Sequence, residues 1–330
     1  MKNGKLSENV LKRSVLKQLK SRRQEVVQGA DVGEDCALFS FSEELAALSV
    51  SSFTVFSYKL VGAQLTAAVN NVAAAGAVPV ALLVSAILPE EIKEEEIKQL
   101  AAEIELTCSR LNLQAAGGDT RLSPWVRKTQ LSVTVLGKTV REKGLSEGYR
   151  PGQELVMTKW LGLWGTALLV QQKREELEKR LPASLLDEAE DFIKLLSVIP
   201  EAEIGRRSGV VGMHDVSRGG IFTALWEIAE RAGTGLEIEM KQLPIRQETV
   251  EITEVLGVNP YELQGAGSLL LVCDKGNELV SRLQKEKIPA AVIGRLTEGK
   301  AKILCNQEEK RYLDRPVGDS VKIKDFHLFI

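Results

Sequence analysis

The chain has 330 residues, of which 44% are hydrophobic and 27% charged, and its formal net charge at pH 7 is -2. This composition is typical of a globular protein, and the length suits two domains because a typical domain holds about 100–200 residues. The near-neutral charge provides no basic field that would attract nucleic acid, so we expect no nucleic-acid partner.

The N-terminal region is basic, with eight lysines and arginines against the single acidic residue Glu8 before residue 25. Leu11, Val15 and Leu19 recur at four-residue steps, which predicts an amphipathic helix that docks on the body of the protein and leaves its basic face in solvent. Closure over a phosphate ligand and contact with an anionic membrane are the alternatives. The region lacks the apolar core of a signal peptide, and we therefore expect a cytoplasmic protein.

Residues 60–88 include no charged residue, and the stretch is interrupted by Gln64, Asn70, Asn71, Gly76 and Pro79. A membrane span needs about 18 consecutive apolar residues, so the stretch predicts a buried Ala-rich helix and a buried strand, with no membrane partner. An amphipathic helix is predicted over 89–113, and strands are predicted over 37–41, 45–50, 80–87 and 129–137.

A polar, glycine-containing segment over 141–152 marks a boundary. We predict an N-terminal lead-in over 1–32, one domain over 33–150 and another over 151–330. In the last domain, strands and helices alternate, which predicts a layered α/β architecture in both halves. The predicted strands are 154–158, 210–213, 236–240, 268–273, 290–293 and 301–305, and the predicted helices are 165–173, 183–196, 220–232, 248–256 and 277–286.

The four cysteines form no C-x-x-C pair and only two histidines exist, so neither a disulfide framework nor a zinc site is indicated. Buried, unreactive thiols are the interpretation that remains for the cysteines.

Residues 213–220 are the most informative segment, because they combine His214, Asp215, Ser217 and Arg218 with the pair Gly219-Gly220 before a predicted helix. A polar loop that enters a helix presents free backbone N–H groups, which suit an anion such as phosphate. A tight turn with solvated polar side chains is the alternative.

Four further segments have the composition of ligand loops. Glu34 and Asp35 stand in a glycine-bounded turn and could hold a cation such as Mg²⁺. Residues 117–120 are predicted to form a second turn, where small residues let the backbone approach a ligand. Residues 158–166 are predicted to form strand, glycine loop and helix, but match neither a P-loop nor a dinucleotide-binding fingerprint. Residues 259–267 precede an apolar strand. A surface turn is the alternative for the first segment, and a turn before a buried strand is the alternative for the last.

In this order, the segments resemble the ATP-using family that contains aminoimidazole ribonucleotide (AIR) synthase, selenophosphate synthetase, thiamine-monophosphate kinase and the hydrogenase maturation factor HypE. The similarity is greatest to the HypE-like branch. It is carried by residues 33–37, 70–79, 117–120, 158–162, 213–220 and 259–267.

The resemblance implies a two-domain PurM-like α/β fold, a homodimer formed by strands of the N-terminal domain, and ATP with Mg²⁺ between the two domains. It implies that Glu34, Asp35 and Asp119 bind metal and that His214, Asp215 and Arg218 are catalytic. The residues it implies for cofactor binding are Asn70, Asn71, Gly117, Gly118, Thr120, Lys159, Gly162, Gly219 and Gly220.

This chain departs from the family pattern at three places. Ser51 and Asn71 stand where the family usually has aspartates, so two carboxylates that would help to hold Mg²⁺ are neutral groups. Residues 325–330 lack the C-terminal cysteine of HypE, so we expect no thiocarboxamide dehydration on the chain's own tail.

Two hypotheses follow. In the preferred one, the chain transfers a phosphoryl group from ATP to an oxygen or chalcogen of a small molecule, which the sequence does not identify. In the other, it is a catalytically degenerate nucleotide-binding or scaffolding homodimer.

Overall fold

The computed structural model describes residues 4–5, 8–28, 38–39, 45–139, 148–314, 322–323 and 326–327. The chain divides into two compact units, an N-terminal unit (Met1–Ala73 and Ala77–Arg141) and a C-terminal unit (Ala74–Gly76 and Glu142–Ile330). Each contains helices and a mixed sheet, which confirms the predicted α/β fold class. The predicted domain boundaries, after residues 32 and 150, stay predictions.

The described elements of the N-terminal unit follow the predicted alternation of helices and strands. They are β1 (Gly4–Lys5), α1 (Glu8–Ser14), a 3₁₀ turn (Leu16–Gln18), β2 (Val26–Gln28), β3 (Leu38–Phe39), β4 (Leu45–Thr54), a 3₁₀ turn (Tyr58–Leu60), α2 (Val61–Ala74), β5 (Val78–Pro89), α3 (Glu94–Leu111), β6 (Gln114–Ser123) and β7 (Gln130–Thr139).

The main sheet of this unit has the strand order β1-β6-β5-β7-β4. Strands β5 and β6 are parallel and the other neighbours are antiparallel. Helix α3 buries Ile97, Leu100 and Ile104 at helical spacing, and three glutamates in its first turn interact favourably with the helix dipole. The helix ends at Asn112, which adopts a left-handed conformation with φ of 56°.

Strand β6 corrects the prediction of a turn over Gly117, Gly118, Asp119 and Thr120. These four residues lie in the middle of the strand, paired with β5. The sequence indicated a turn because glycine is unfavourable in strands, and pairing in the sheet overrides that local preference. Gly118 has φ of 154°, and a Cβ there would lie 1.8 Å from the Val84 carbonyl oxygen, so this close approach requires glycine.

The basic N-terminal segment docks on α3, as predicted, although its helix α1 is short. Arg13 Nε donates a hydrogen bond of 2.8 Å to Glu94 Oε1, and Ser21 Oγ donates one of 2.7 Å to Glu105 Oε1. These contacts attach the segment to α3 at two points, because Glu94 and Glu105 lie about three helical turns apart.

The C-terminal unit carries the second set of elements. They are β8 (Glu154–Thr158), α4 (Leu163–Leu177), α5 (Ala183–Glu190), a 3₁₀ turn (Asp191–Leu195), α6 (Ile199–Arg207), β9 (Gly212–Val216), α7 (Gly220–Ala232), β10 (Gly235–Glu239), a 3₁₀ turn (Met240–Gln242), α8 (Gln247–Leu256), β11 (Ser268–Cys273), α9 (Gly276–Lys285), β12 (Ala290–Thr297), β13 (Lys302–Asn306), β14 (Glu309–Tyr312), β15 (Lys322–Ile323) and β16 (Phe326–His327).

The large sheet of this unit has the order β14-β13-β10-β12-β8-β11-β9, in which only the pair β10 and β13 is parallel among the described strands. Its core includes Leu155, Leu270 and Val272 from the strands and Leu225 and Ile228 from α7. The predicted bounds of β8, β11 and α7 are confirmed to the residue.

Helix α6 is absent from the prediction. Its buried positions are Glu201, Ala202 and Gly205, so the helix shows no apolar stripe in the sequence.

Two helices of the C-terminal unit begin against one chain segment, residues 261–264, which we call the capping segment. Gly165 N–H in α4 donates to the Gln264 carbonyl oxygen (2.9 Å), and Phe222 N–H in α7 donates to the Tyr261 carbonyl oxygen (3.4 Å). The fully buried Leu263 lies between these two contacts in the chain. Backbone carbonyls thus satisfy amides that a helix N-terminus leaves without an intrahelical partner.

Glycine permits this close packing. A Cβ on Gly165 would lie 2.3 Å from Leu263 Cγ, and one on Gly220 would lie 2.4 Å from the Tyr261 carbonyl oxygen. Gly220 also has φ of 66°, in the left-handed region.

The expectation of buried thiols is met in the described part of the chain. Cys108, Cys273 and Cys305 are buried free thiols, and burial raises the pKa of Cys108 to about 12. Cys36 lies outside the described residues. Among the described helices, none has the length and apolar composition that a bilayer crossing requires.

We predict that Gly220→Ala lowers the free energy of unfolding by at least about 2 kcal/mol, from the left-handed φ together with the clash against the capping segment. Gly257→Ala is the matched control, since Gly257 has φ of 64° and the position that its added methyl group would occupy has no neighbouring atom within 4 Å. Gly257→Ala should lower the free energy of unfolding by only about 1 kcal/mol. Urea unfolding monitored by circular dichroism measures both values, and equal losses would contradict the packing argument.

Candidate functional site

The predicted site residues fall on both units. The N-terminal group comprises Asn70, Asn71, Gly117, Gly118, Asp119 and Thr120, and the C-terminal group comprises Lys159, Gly162, His214, Asp215, Arg218, Gly219 and Gly220. The predicted metal ligands Glu34 and Asp35 lie outside the described residues.

The two positions that depart from the family pattern are in contact. Asn71 on α2 donates a hydrogen bond from Nδ2 to Ser51 Oγ on β4, with a distance of 3.3 Å. Carboxylates at both positions would lie side by side, so this is a place where two acidic residues could share a cation. In this chain the place is neutral, and the two polar groups satisfy each other. The adjacent Asn70 is completely buried in α2.

Asp119 lies elsewhere on the same sheet. Its Oδ2 atom pairs with Arg121 Nε at 3.2 Å. Across the sheet, Asp119 on β6 pairs with Ser85 on β5, and Ser85 pairs with Ser132 on β7. The Ser132 hydroxyl in turn hydrogen-bonds Ser52 Oγ on β4 at 2.7 Å. Residues opposite each other share a face and neighbours along a strand alternate, so Asp119 lies on the face of Ser52, and Ser51 points to the other face.

This arrangement bears on the predicted metal site. The described ranges contain no group of three histidine, cysteine, aspartate or glutamate side chains that could hold a metal ion. Asp119 alone supplies one carboxylate, and it is already paired with Arg121. Mg²⁺ is usually held by several oxygen ligands, so the described residues do not fit this ion by themselves.

In the C-terminal unit, the structure corrects the predicted polar loop over 213–220. His214 and Asp215 lie on β9, and only Ser217, Arg218 and Gly219 connect this strand to α7. His214 Nε2 lies 2.7 Å from Glu227 Oε2 of α7. The Arg218 side chain is exposed.

Asp215 is the unusual group of this strand. It is 5% exposed, and its Oδ2 atom is buried without a hydrogen-bond partner among the described residues. Burial raises the pKa of the Asp215 carboxyl to about 6, although the neighbouring His214 acts in the opposite direction. Such a carboxyl can gain or lose a proton near neutral pH, which an ordinary aspartate does not do.

The predicted backbone donors of Gly219 and Gly220 need a correction. Gly219 (φ 70°) caps the start of α7, and Gly220 N–H already donates to the Ser217 carbonyl oxygen at 3.2 Å. The Phe222 N–H donates to the Tyr261 carbonyl oxygen of the capping segment. The amides of Gly220 and Phe222 are therefore not free for phosphate. Gly162 likewise begins α4 with φ of 62°, and the nearest atoms to its Cβ position belong to Leu263.

Lys159 also has a different environment from the predicted one. Its ammonium lies 2.6 Å from Glu201 Oε1 and donates to the carbonyl oxygens of Leu195 (2.7 Å) and Ser197 (2.6 Å). These three acceptors match the three donors of an ammonium group, so none remains for a cofactor. The assignment of Lys159 to cofactor binding stays a prediction, and in this structure the ammonium group is held by acceptors of the protein itself.

Glu201 is the partner that sequence reasoning missed. It is 1% exposed, in the first turn of α6. Burial lowers the pKa of Lys159 and raises the pKa of Glu201, while their mutual attraction opposes both shifts. Nothing in the sequence around Glu201 distinguishes it from a solvated glutamate at a helix start.

The comparisons with known proteins agree with the two-unit architecture. The family model for the AIR synthase related protein, N-terminal domain, matches residues 33–139, and the one for its C-terminal domain matches residues 150–305. The two describe consecutive domains of one protein family and occur here in the same order. The chain therefore belongs to the AIR synthase-related, PurM-like family.

Within this family the chain is HypE-like. It is 25% identical over 329 residues to a putative hydrogenase expression/formation protein of Methanocaldococcus jannaschii, covering 96% of each chain. Its fold matches that of the hydrogenase maturation protein HypE of E. coli with a TM-score of 0.79 at 20% identity, over 95% of this chain and 98% of the other. A HypE crystallised in complex with ATP matches with a TM-score of 0.75 at 18% identity, over 95% of both chains.

We predict that Asp215→Asn stabilises the protein at pH 8 by up to about 3 kcal/mol, at about 1.4 kcal/mol per pKa unit. The carboxyl titrates near 3.8 when unfolded and at about 6 when folded, so wild type loses stability as the pH rises through this window. The isosteric amide does not ionise, and its advantage should therefore vanish at pH 4.

Thermal and urea unfolding at pH 4 and pH 8 measure the difference. Asp191→Asn is the control, because Asp191 is 63% exposed and a surface change should alter stability by less than about 0.5 kcal/mol. A gain for Asp215→Asn that is equal at both pH values, or a loss at pH 8, would contradict the burial of an ionised carboxyl.

Proposed function

We propose that this chain binds ATP and transfers its terminal phosphoryl group to an oxygen or chalcogen atom of a small molecule. The observation that carries the proposal is its end-to-end likeness to HypE proteins, one of which was crystallised with ATP. The buried carboxyl of Asp215 supports it, because a group that titrates near pH 6 suits proton transfer in a site that operates near neutral pH.

In the proposed reaction, the acceptor atom loses its proton as its bond to phosphorus forms, and the bond from phosphorus to the ADP oxygen breaks. Asp215 accepts the proton, and His214, which contacts Glu227, is the second residue that we assign to catalysis. Arg218 is exposed and has a planar guanidinium group, so it is the side chain to offset the phosphoryl charge.

The role of Mg²⁺ is a distinct question, since the described residues do not form a site for it. Ser51 and Asn71 carry no charge and bind each other, and Asp119 is paired with Arg121. Glu34 and Asp35 stay predicted ligands. We propose that ATP binding depends less on Mg²⁺ in this chain than it would with aspartates at positions 51 and 71.

We predict that the double variant Ser51→Asp, Asn71→Asp binds ATP at least about tenfold more tightly with Mg²⁺ than without it, while wild type changes little. The reason is that two carboxylates at this contact repel the phosphates unless a cation lies between them. Calorimetric titration with ATP, in the presence and absence of Mg²⁺, measures the affinities, and release of ADP over hours measures turnover.

The double variant Ser51→Asn, Asn71→Ser is the matched control, because it exchanges the two side chains without adding charge. If it gains the same Mg²⁺ dependence, the carboxylates are not the cause. If wild type binds ATP without releasing ADP in the presence of candidate acceptors or water, the transferase proposal fails and a nucleotide-binding role is left. If millimolar ATP and ADP both leave the melting temperature unchanged, nucleotide binding is overturned.

We also propose that the chain forms a homodimer through β4. This strand is at the edge of the described five-stranded sheet and is ten residues long. Leu48 and Val50 on its outer face are 66% and 67% exposed. A long apolar edge strand is a template for pairing with another strand, and a second copy would cover both the apolar side chains and the free backbone groups.

We predict that Val50→Lys converts a dimer to a monomer, since the charge would be buried in the paired sheet. Size-exclusion chromatography with light scattering gives the mass of the species. Val250→Lys is the control on helix α8, where the valine is 39% exposed. A wild-type chain that is monomeric at all concentrations, or a Val50→Lys variant that stays dimeric, would contradict the proposal.

A further inference from the structure

A cavity of about 330 Å³ lies within the N-terminal unit, and none of the predicted site residues lines it. Three segments form its walls: the loop after β4, the turn between β5 and α3, and the loop before β7. Ligand pockets are commonly about 300–1,000 Å³, so the cavity is of the smallest size that takes a metabolite.

The inner wall is apolar and rigid. Val55 and Ile92 are buried there, and Pro89 adds a ring that has little freedom to move. Tyr58 hydroxyl donates to Glu96 Oε1 at 3.2 Å, and Glu96 Oε2 accepts from Lys93 N–H at 3.0 Å at the start of α3. Both carboxylate oxygens of Glu96 are therefore satisfied by the protein itself, and Glu96 does not need a ligand.

Unpaired charges of both signs lie on the rim. Arg127 and Glu91 both line the cavity and both are exposed. Within the described chain, neither makes an ion pair or side-chain hydrogen bond, so they do not contact each other. The Lys128 ammonium lies 4.7 Å from the centroid of the Phe56 ring, which is 41% exposed. The cavity thus combines an apolar wall with one free guanidinium and one free carboxylate.

We propose that this cavity binds a small zwitterion, a free α-amino acid with an apolar or aromatic side chain. Arg127 pairs with the carboxylate of the ligand, for which a planar guanidinium has the matching geometry. Glu91 pairs with its ammonium group. The side chain of the ligand packs on Val55, Pro89 and Ile92, with the Phe56 ring and Lys128 at the entrance.

The charges explain why a zwitterion fits better than a simple anion or amine. A monocarboxylate would leave Glu91 next to a second negative charge, and a monoamine would leave Arg127 and Lys128 next to a second positive charge. A ligand with both charges neutralises the two free rim groups at once. This site is independent of the proposed nucleotide chemistry, because none of its walls includes a residue assigned to that reaction.

The test is calorimetric titration of the full chain with three probes of one shape: L-phenylalanine, 3-phenylpropanoate, which lacks the ammonium group, and phenethylamine, which lacks the carboxylate. L-phenylalanine should bind saturably and at least about tenfold more tightly than either analogue, because each analogue loses one charge-assisted contact. Absence of saturable binding of L-phenylalanine at millimolar concentration, or equal binding of either analogue, would overturn the proposal.

Two substitutions locate the site. Arg127→Gln should lower the affinity for L-phenylalanine by about tenfold to a hundredfold. Glu91→Gln should lower the affinity for L-phenylalanine, while the affinity for 3-phenylpropanoate should stay unchanged or rise. Arg180→Gln is the control, because Arg180 is exposed on the C-terminal unit and should have no effect. The replaced side chains are on the surface, so circular dichroism should show unchanged folding; unchanged affinity in Arg127→Gln would overturn the assignment.

Discussion

The C-terminal unit depends on one local arrangement, in which the capping segment meets the starts of two helices. The carbonyl oxygens of Tyr261 and Gln264 accept hydrogen bonds from amides in the first turns of α7 and α4, and Leu263 is fully buried between them. An amide at the start of a helix must find a partner outside the helix. Here the protein supplies that partner from its own backbone, and Gly165 and Gly220 permit the close packing of both helices on this segment.

In the N-terminal unit, a neutral contact stands where the family pattern has two charged side chains. Ser51 and Asn71 lie in contact at the place where the family pattern has two aspartates, and their hydrogen bond replaces a repulsive pair that would need a cation. The fold is kept, as the family match and the HypE structures show. A neutral contact therefore joins α2 to β4 without a metal ion.

The buried ionisable side chains of the C-terminal unit, by contrast, include Lys159, Glu201 and Asp215. Lys159 and Glu201 form a buried ion pair, which joins the start of α6 to the loop after β8. Asp215 Oδ2 and Glu201 Oε2 are both buried without a hydrogen-bond partner in the described structure, but Glu201 has the Lys159 ammonium 2.6 Å from its other oxygen. A paired buried charge stabilises a particular arrangement, whereas an unpaired one is costly and is retained more often where chemistry uses it.

The sequence by itself determined the family, the α/β class and most elements, because hydrophobic periodicity and motif order are local properties of the chain. Strand β11 and helix α7 match their predicted bounds for this reason. Only the tertiary structure decided that residues 117–120 lie within strand β6 and that His214 and Asp215 lie on β9, because pairing with neighbours outweighed their turn-like composition. It also decided that Lys159 pairs with Glu201, and that Ser51 meets Asn71 while Asp119 lies on the other face of the sheet. Such contacts join residues far apart in the chain, and no local pattern encodes which distant side chain will neutralise a given charge.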